Sequence, residues 1–128
     1  MIYVDSLVVL AKLLAEKRTA PDSFWDQSLV SSRLLEYEAW NRINWRRVAR
    51  ALGDQTSILL ERIEFIELSL VVLVRAPKPF LIPLRTLDTL HVATIEYLRQ
   101  IGSDVTLASF DQRMLMSARA LQIPICRF

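Results

Sequence analysis

Four carboxylates in the sequence stand in local settings that suit a shared metal site. Asp5 and Asp111 each follow a short apolar run, and Glu38 and Asp88 lie inside helical patterns. Acids that end strands belong at the carboxyl edge of a sheet, where open α/β folds build their sites. If all four converge, they form an oxygen-rich, negative pocket of the kind that Mg²⁺ and Mn²⁺ prefer.

Each acid also has a plainer interpretation. Asp5 and Asp111 could each cap a helix. Glu38 could form an ion pair with Arg42, four residues on. Asp88 is harder to explain in this way, because its neighbours are mostly apolar and Asp rarely faces a core unpaired. Two carboxylates about 4 Å apart repel by about 4 kcal/mol at an effective dielectric of about 20, so four together need a cation, bound protons or an inserted Arg to offset their charge. Mg²⁺ or Mn²⁺, held by a few carboxylates and several waters, is the economical answer.

The sequence lacks the motifs of most other kinds of catalytic site. Only 2 glycines are present, which excludes glycine-rich phosphate loops and the nucleophile elbow of serine hydrolases. His91 is the only histidine, which excludes HExxH zinc chemistry, and a hydrogen-bonded packing role is expected for it rather than metal binding. Cys126, the only cysteine, is expected to be a packing residue and fits a reducing cytosol. Carboxylates with a metal therefore remain the only catalytic set.

Hydrophobic periodicity and turn residues predict the elements that must position these acids. Strands are predicted at 1–5, 28–31, 65–68, 105–110 and 124–128. Helices are predicted at 7–17, 32–52, 54–64, 70–75, 84–101 and 112–122, with a short segment after Pro21. Ser6 is the expected N-cap of the first helix, and Gly53 is expected to end the long one. The alternation predicts one α/β domain over residues 1–128, with a parallel sheet and helices on both faces.

Four segments of the chain resemble a known family. They are Tyr-Val-Asp-Ser at 3–6, Ser-Arg-Leu-Leu-Glu-Tyr-Glu at 32–38, Leu-Arg-Thr-Leu-Asp-Thr-Leu-His-Val-Ala at 84–93, and Ser-Phe-Asp at 109–111. In this order they are similar to PIN-domain ribonucleases, most closely to VapC-type toxins of bacterial and archaeal toxin–antitoxin pairs. The third segment is the most specific. At position 7 this chain has leucine, whereas a small residue is usual in the family. This difference does not remove a metal ligand.

The resemblance implies a three-layer α/β/α PIN-like fold with a twisted, mainly parallel sheet of about five strands. It implies an endoribonuclease dependent on Mg²⁺ or Mn²⁺, whose site residues are Asp5, Glu38, Asp88 and Asp111, with Ser6 and Ser109 as supporting hydroxyls. We expect Asp5 and Asp88 to hold the metal chiefly, and either Asp111 or Glu38 to accept a proton from the attacking water. The implied partners are RNA, a small antitoxin and a second copy of the chain.

Charge and hydropathy bear on partners and location. Net charge is only +2, but 13 of the 16 basic residues are Arg, the better bidentate ligand for phosphate. Arg42, Arg46 and Arg50 follow Glu38 at four-residue steps, which predicts a stripe along one helix that could track an RNA backbone. A solvated helix face or an antitoxin contact is the alternative. No membrane span or secretion signal is expected, so the predicted location is the cytoplasm.

Two rival functions are compatible with parts of this pattern. The first is a PIN-like module that has lost cleavage and only binds RNA or protein, and Leu7 is its sequence support. The second is a phospho-accepting receiver domain, which needs adjacent acids after strand one and a lysine after the last strand. Here Asp5 stands alone and no lysine follows residue 78, which disfavours the second rival.

Overall fold

The computed structural model describes all 128 residues and contains one parallel sheet flanked by helices. The strands β1 to β4 span, in turn, Ile2–Val4, Leu29–Ser32, Ile63–Ile66 and Thr106–Ala108. The helices α1 to α6 span Ser6–Leu13, Leu34–Trp45, Ala49–Leu60, Leu70–Arg75, Thr86–Gln100 and Gln112–Ala120. A short 3₁₀ turn, Asp22–Asp26, precedes β2. The α/β class and the parallel sheet are as predicted.

Two hydrophobic cores lie on opposite faces of this sheet. Val4 packs with α1, α2 and α3 in one core, whereas its neighbour Tyr3 packs with α5 and α6 in the other. Leu29 and Val30 of β2 divide between the same two cores. Successive side chains of a strand point to opposite faces, so β1 and β2 carry buried side chains on both faces of the sheet. The arrangement is compatible with three α/β/α layers.

The order of the strands, β3-β2-β1-β4, determines where a site can form. From β1 the chain adds β2 and β3 on one side and then crosses back to place β4 on the other. The direction of winding therefore changes between β1 and β4, and open α/β sheets bind ligands at the carboxyl ends of strands beside such a point. The Asp5 N–H donates to the Ala108 carbonyl at 3.0 Å, so the ends of β1 and β4 are joined there.

The sheet has four strands rather than the predicted five. The segment 124–128 forms only a single bridge, between Leu107 and Ile125. The Leu107 N–H donates to the Pro124 carbonyl, and the Cys126 N–H donates to the Leu107 carbonyl, each at 2.8 Å. Pro124 has no N–H with which to continue the pairing, and β4 itself is only three residues long. The C-terminal segment thus covers the edge of β4 without becoming a strand.

The predicted helix 32–52 is two helices, and Gly53 does not end either of them. Helix α2 ends at Trp45, and Arg47 takes a left-handed conformation with φ +56°. The Val48 N–H donates to the Ile43 carbonyl, which together with an Arg47–Asn44 bond forms a Schellman motif. Glycine usually occupies the left-handed position of this motif, so its absence hid the break. Gly53 lies inside α3.

Other boundaries differ by a few residues from the predicted ones. Asp5, not Ser6, is the N-cap of α1, and its side chain accepts the Ser6 N–H. Strand β3 begins and ends two residues before the predicted 65–68. Helix α4 spans the predicted residues and begins behind Ser69, whose hydroxyl accepts the Val72 N–H. None of the helices combines the length and hydrophobicity needed to span a lipid bilayer.

Candidate functional site

An open cavity of about 830 Å³ is lined by all four predicted carboxylates. Four different elements position them: Asp5 follows β1, Glu38 lies in α2, Asp88 lies in the first turn of α5, and Asp111 precedes α6. Ser6 also lines the cavity, whereas Ser109 lies behind it and contacts Asp5. The structure therefore brings the predicted acids together around one space, at the carboxyl edge of the sheet.

Asp5 is the most buried of the acids, with 3% of its surface exposed. The Ser6 N–H donates to one carboxylate oxygen and the Ser109 hydroxyl donates to the other, both at 2.8 Å. Burial raises the pKa of Asp5; His91 and the Ser109 hydrogen bond oppose that rise, whereas Glu38 and Asp88 add to it. The carboxylate is thus held in one orientation, in surroundings that disfavour its charge unless a cation is near.

Glu38 is bound from two directions, and neither partner is the Arg42 of the plainer interpretation. The His91 Nε2 lies 2.5 Å from Glu38 Oε1, and the Ser6 hydroxyl donates to Oε2 at 3.3 Å. The other ring nitrogen of His91, Nδ1, lies 2.7 Å from the Tyr3 hydroxyl. Because both nitrogens are engaged and the ring is fully buried, His91 has the hydrogen-bonded packing role expected from the sequence and no free nitrogen for a metal.

The neighbouring carboxylates change the pKa of His91. Burial works to lower the pKa of the ring, because it disfavours the imidazolium. The hydrogen bond to Glu38 and the negative charges of Glu38, Asp5 and Asp88 work in the other direction and prevail, so the pKa is raised. A buried titratable ring thus lies behind the carboxylates that line the cavity.

Arg85 bridges two acids at the mouth of the cavity. Its Nε donates to Asp88 Oδ2 at 3.3 Å, and its Nη2 donates to Asp111 Oδ2 at 2.9 Å. Burial raises the pKa of Asp88, the Arg85 hydrogen bond works against that rise, and Asp111 adds to it. Arg85 was not among the predicted site residues, although its spacing of three residues before Asp88 at a helix start is a usual pattern for an ion pair.

Asp111 performs the capping role foreseen for it as well as lining the cavity. Its Oδ1 accepts the N–H groups of Arg113 and Met114, at 2.8 and 3.1 Å. Its own N–H donates to the Ser109 hydroxyl at 3.0 Å. One carboxylate oxygen is therefore committed to the helix, while the other faces Arg85. The capping and site interpretations of Asp5 and Asp111 are compatible.

The oxygen donors fit a hard divalent cation in chemical type, but they are not gathered into a closed cage. No three Asp, Glu, His or Cys side chains are arranged as ligands around one point. Mg²⁺ is usually held by one or two carboxylates and keeps several waters, so a three-residue cluster is not required for it. The donor set therefore suits such an ion, with most of its coordination left to water and substrate.

Comparison of the sequence with protein-family models and with curated proteins finds no match in either set. The similarity to PIN-domain ribonucleases accordingly stays a hypothesis that depends on the quoted segments. The geometry of the cavity is evidence about its chemistry that does not depend on this similarity, because the geometry shows directly which side chains are in contact.

The predicted basic stripe of Arg42, Arg46 and Arg50 does not form in the structure. Arg42 lines the cavity. Arg46 caps the end of α2 and Arg50 lies in α3, so the three do not follow one helix face, and the latter two lie outside the cavity. Tyr3 was not among the predicted site residues either, although a tyrosine in an otherwise apolar buried strand needs a partner for its hydroxyl.

Proposed function

We propose that this chain is a metal-dependent endoribonuclease of the PIN-domain type, acting in the cytoplasm as the toxin of a VapBC-type toxin–antitoxin pair. One observation carries the proposal: four carboxylates from four separate elements line a single open cavity. Burial, with a smaller contribution from the neighbouring acids, disfavours the charged forms of Asp5 and Asp88 and raises their pKa values. A bound Mg²⁺ or Mn²⁺ would offset that cost.

The residues divide into distinct roles in the proposed hydrolysis of RNA. Asp5 and Asp88 would hold the ion chiefly, with Glu38 and Asp111 acting directly or through water. When bound, the ion would stabilise charge on the scissile phosphate and make water more acidic. The Ser109 hydroxyl and the Ser6 N–H keep Asp5 in its orientation. Either Glu38 or Asp111 would accept the proton of the attacking water.

Of the three arginines predicted to contact RNA, Arg42 is the one that lines the cavity. It lines the same cavity as the acids and forms no ion pair with Glu38. A guanidinium there would bind a phosphate next to the one that is cleaved. Contacts from Arg46 and Arg50 would require RNA that bends around the end of α2, since these exposed side chains lie beyond the cavity.

The proposed antitoxin would act on the same cavity. Antitoxins of this family often insert an arginine among the acids of the toxin. Arg85 already places a guanidinium between Asp88 and Asp111, which supports the idea that an arginine is accommodated here. We also propose that the chain forms a homodimer, as the resemblance implies.

A second candidate function is a PIN-like module that binds RNA or a protein without cleaving it. Two observations favour it. No three potential ligands are arranged around one point, and Leu7 exposes 40% of its surface beside Asp5 at the cavity. A bulky apolar side chain there replaces the small residue usual in the family and would hinder the approach of water or phosphate.

Cleavage of RNA by the purified chain separates these candidates. A pool of varied RNAs is incubated with the chain and Mn²⁺ or Mg²⁺, beside Asp88→Asn and a Glu96→Gln control. Glu96 lies on the same helix and pairs with Arg75 at 2.8 Å, outside the cavity. We expect Asp88→Asn to lose at least about 100-fold in cleavage and the control to match the native chain. Tight RNA binding without cleavage by the native chain would favour the second candidate.

A further inference from the structure

A buried chain of hydrogen bonds leads from the sheet to Glu38. The Ser32 N–H of β2 donates to the Tyr3 hydroxyl at 3.1 Å, and that hydroxyl meets His91 Nδ1. The opposite ring nitrogen meets Glu38 at the cavity. Tyr3 and His91 are both fully buried, and Tyr3 stands edge-on to the ring at 5.8 Å between centroids. Neither residue was among those predicted from the sequence to form the site.

The direction of the last hydrogen bond follows from the chemistry of its acceptor. An ionised carboxylate can only accept, so the Nε2 of His91 must carry the hydrogen that it shares with Glu38. The ring cannot turn away, because its Nδ1 is held by Tyr3, which is in turn held by the backbone of β2. Glu38 thus meets a donor that is fixed to the centre of the sheet.

A glutamate on a helix surface can form an ion pair within its own helix, so the contact between Glu38 and His91 is not the default arrangement. Arg42 lies one turn further along α2 and is the usual partner for Glu38 in an exposed helix. That ion pair is absent, and the carboxylate instead points to His91 and Ser6. Without His91, only the 3.3 Å hydrogen bond from Ser6 would oppose rotation of the Glu38 side chain toward Arg42 or solvent.

We propose that His91, held by Tyr3, is a positioning residue that keeps the Glu38 carboxylate directed into the acidic cavity. This inference rests on the proposed function, because it assumes that the cavity takes a divalent cation to which Glu38 contributes. Groups that hydrogen-bond to metal ligands orient them, and their loss typically weakens metal binding by about ten- to a hundredfold. Tyr3 acts one step further back, through the ring.

Calorimetric titration of the full chain with Mn²⁺, without RNA, tests the positioning role. We expect His91→Leu to weaken Mn²⁺ binding by about tenfold or more, and His91→Gln, whose amide N–H reaches toward the Nε2 position, to restore most of it. Tyr3→Phe should fall between these two. Thr94→Val is the matched control, because Thr94 is a fully buried polar residue one turn along α5 that bonds only to the Leu90 carbonyl. It should bind Mn²⁺ like the native chain.

A double-variant comparison separates positioning from general stabilisation. If His91 acts through Glu38, adding His91→Leu to Glu38→Gln should cause no further loss of Mn²⁺ affinity. A merely structural role would lower the melting temperature and leave the affinity of the folded variants unchanged. Native-like Mn²⁺ binding by His91→Leu, or equal losses in the two backgrounds, would overturn the proposal while leaving the proposed function in place.

A metal-free measurement covers the case in which His91→Leu does not fold. His91 is the only histidine, so ¹⁵N spectra of the ring need no assignment. We expect a protonated Nε2 whose resonance shifts in Glu38→Gln, and a ring without this proton would overturn the positioning role. Failure of the native chain to bind Mn²⁺ at all would instead overturn the proposed function, and the spectra would still decide the contact.

Discussion

The Nη2 of Arg85 lies 2.9 Å from Oδ2 of Asp111, and this contact joins the start of α5 to the start of α6 across the mouth of the acidic cavity. The Arg85 side chain is 69% exposed, whereas that of Asp111 is 12% exposed. An exposed arginine can leave such a pair without disturbing the core. Arg85 is therefore an internal counter-ion for Asp88 and Asp111, and it would compete with the proposed metal ion for these carboxylates.

Replacing Arg85 should tighten metal binding. In Arg85→Ala the carboxylates of Asp88 and Asp111 lose their shared cation, so we expect Mn²⁺ to bind more tightly, by a factor of about five. The metal-free variant should melt at a slightly lower temperature because the two acids then repel each other. Calorimetry with Mn²⁺ measures the first effect and thermal unfolding the second.

Arg62→Ala is the matched control for this change. Arg62 also forms an exposed ion pair, with Asp26 at 3.2 Å, but it lies away from the acidic cavity. Its loss should leave the affinity for Mn²⁺ unchanged. Weaker Mn²⁺ binding in Arg85→Ala would contradict the competition and would indicate that Arg85 supports the bound ion.

Asp5→Asn should stabilise the metal-free chain at neutral pH. Because the pKa of Asp5 is raised by burial above its ordinary 3.8, the folded chain binds this proton more tightly than the unfolded chain does. Ionised Asp5 therefore lowers the free energy of unfolding at high pH. This destabilisation decreases as the pH falls toward 3.8. We expect the melting temperature to rise by about 4 °C at pH 7.

The pH dependence makes that prediction specific. The advantage of Asp5→Asn over the native chain should shrink as the pH is lowered from 7 toward 4 in thermal unfolding without metal. Asp104→Asn, at an exposed acid outside the cavity, should show no such trend. Marked unfolding of Asp5→Asn at pH 7 would mean that the charged carboxylate is needed for the fold.

The Ser109 hydroxyl should stabilise the fold through two hydrogen bonds. Its hydroxyl donates to Asp5 Oδ2 and accepts the Asp111 N–H, so Ser109→Ala removes two hydrogen bonds at the end of β4. We expect a loss of about 1–3 kcal/mol in the free energy of unfolding, measured by urea denaturation at pH 7. Ser117→Ala is the natural comparison, because the buried Ser117 hydroxyl has no hydrogen-bond partner. That change should be neutral or stabilising, and equal effects of the two would refute the assignment.

The two glycines should respond to alanine in opposite ways. Gly53 lies inside α3, and a Cβ there meets nothing within 4 Å, so Gly53→Ala should stabilise the chain by about 1 kcal/mol. Gly102 has φ +94°, which strains any residue with a side chain, so Gly102→Ala should destabilise it. Urea denaturation measures both. A destabilising Gly53→Ala would restore the sequence-based view that this glycine ends a helix.

Several elements could be predicted because their signals are local. Helix α4 matches its predicted range, and each of the four strands falls within about two residues of a predicted one, because turn residues and apolar runs mark them. The division of 32–52 was missed because the Schellman turn at Arg47 uses a residue that rarely adopts positive φ. The fifth strand was predicted in error because residues 124–128 pair with β4 only around Leu107, through one bridge and two hydrogen bonds.

The sequence by itself determined which residues could do chemistry and at which element ends or helix faces they stand, since those properties depend on neighbours a few positions away. The tertiary structure decided which groups they meet. Glu38 contacts His91 rather than Arg42, and Asp111 contacts Arg85, because the strand order places the N-terminal parts of α5 and α6 at the same carboxyl edge of the sheet at which α2 begins. Partners 53 and 26 positions apart are chosen by strand order and helix orientation, which no local pattern encodes.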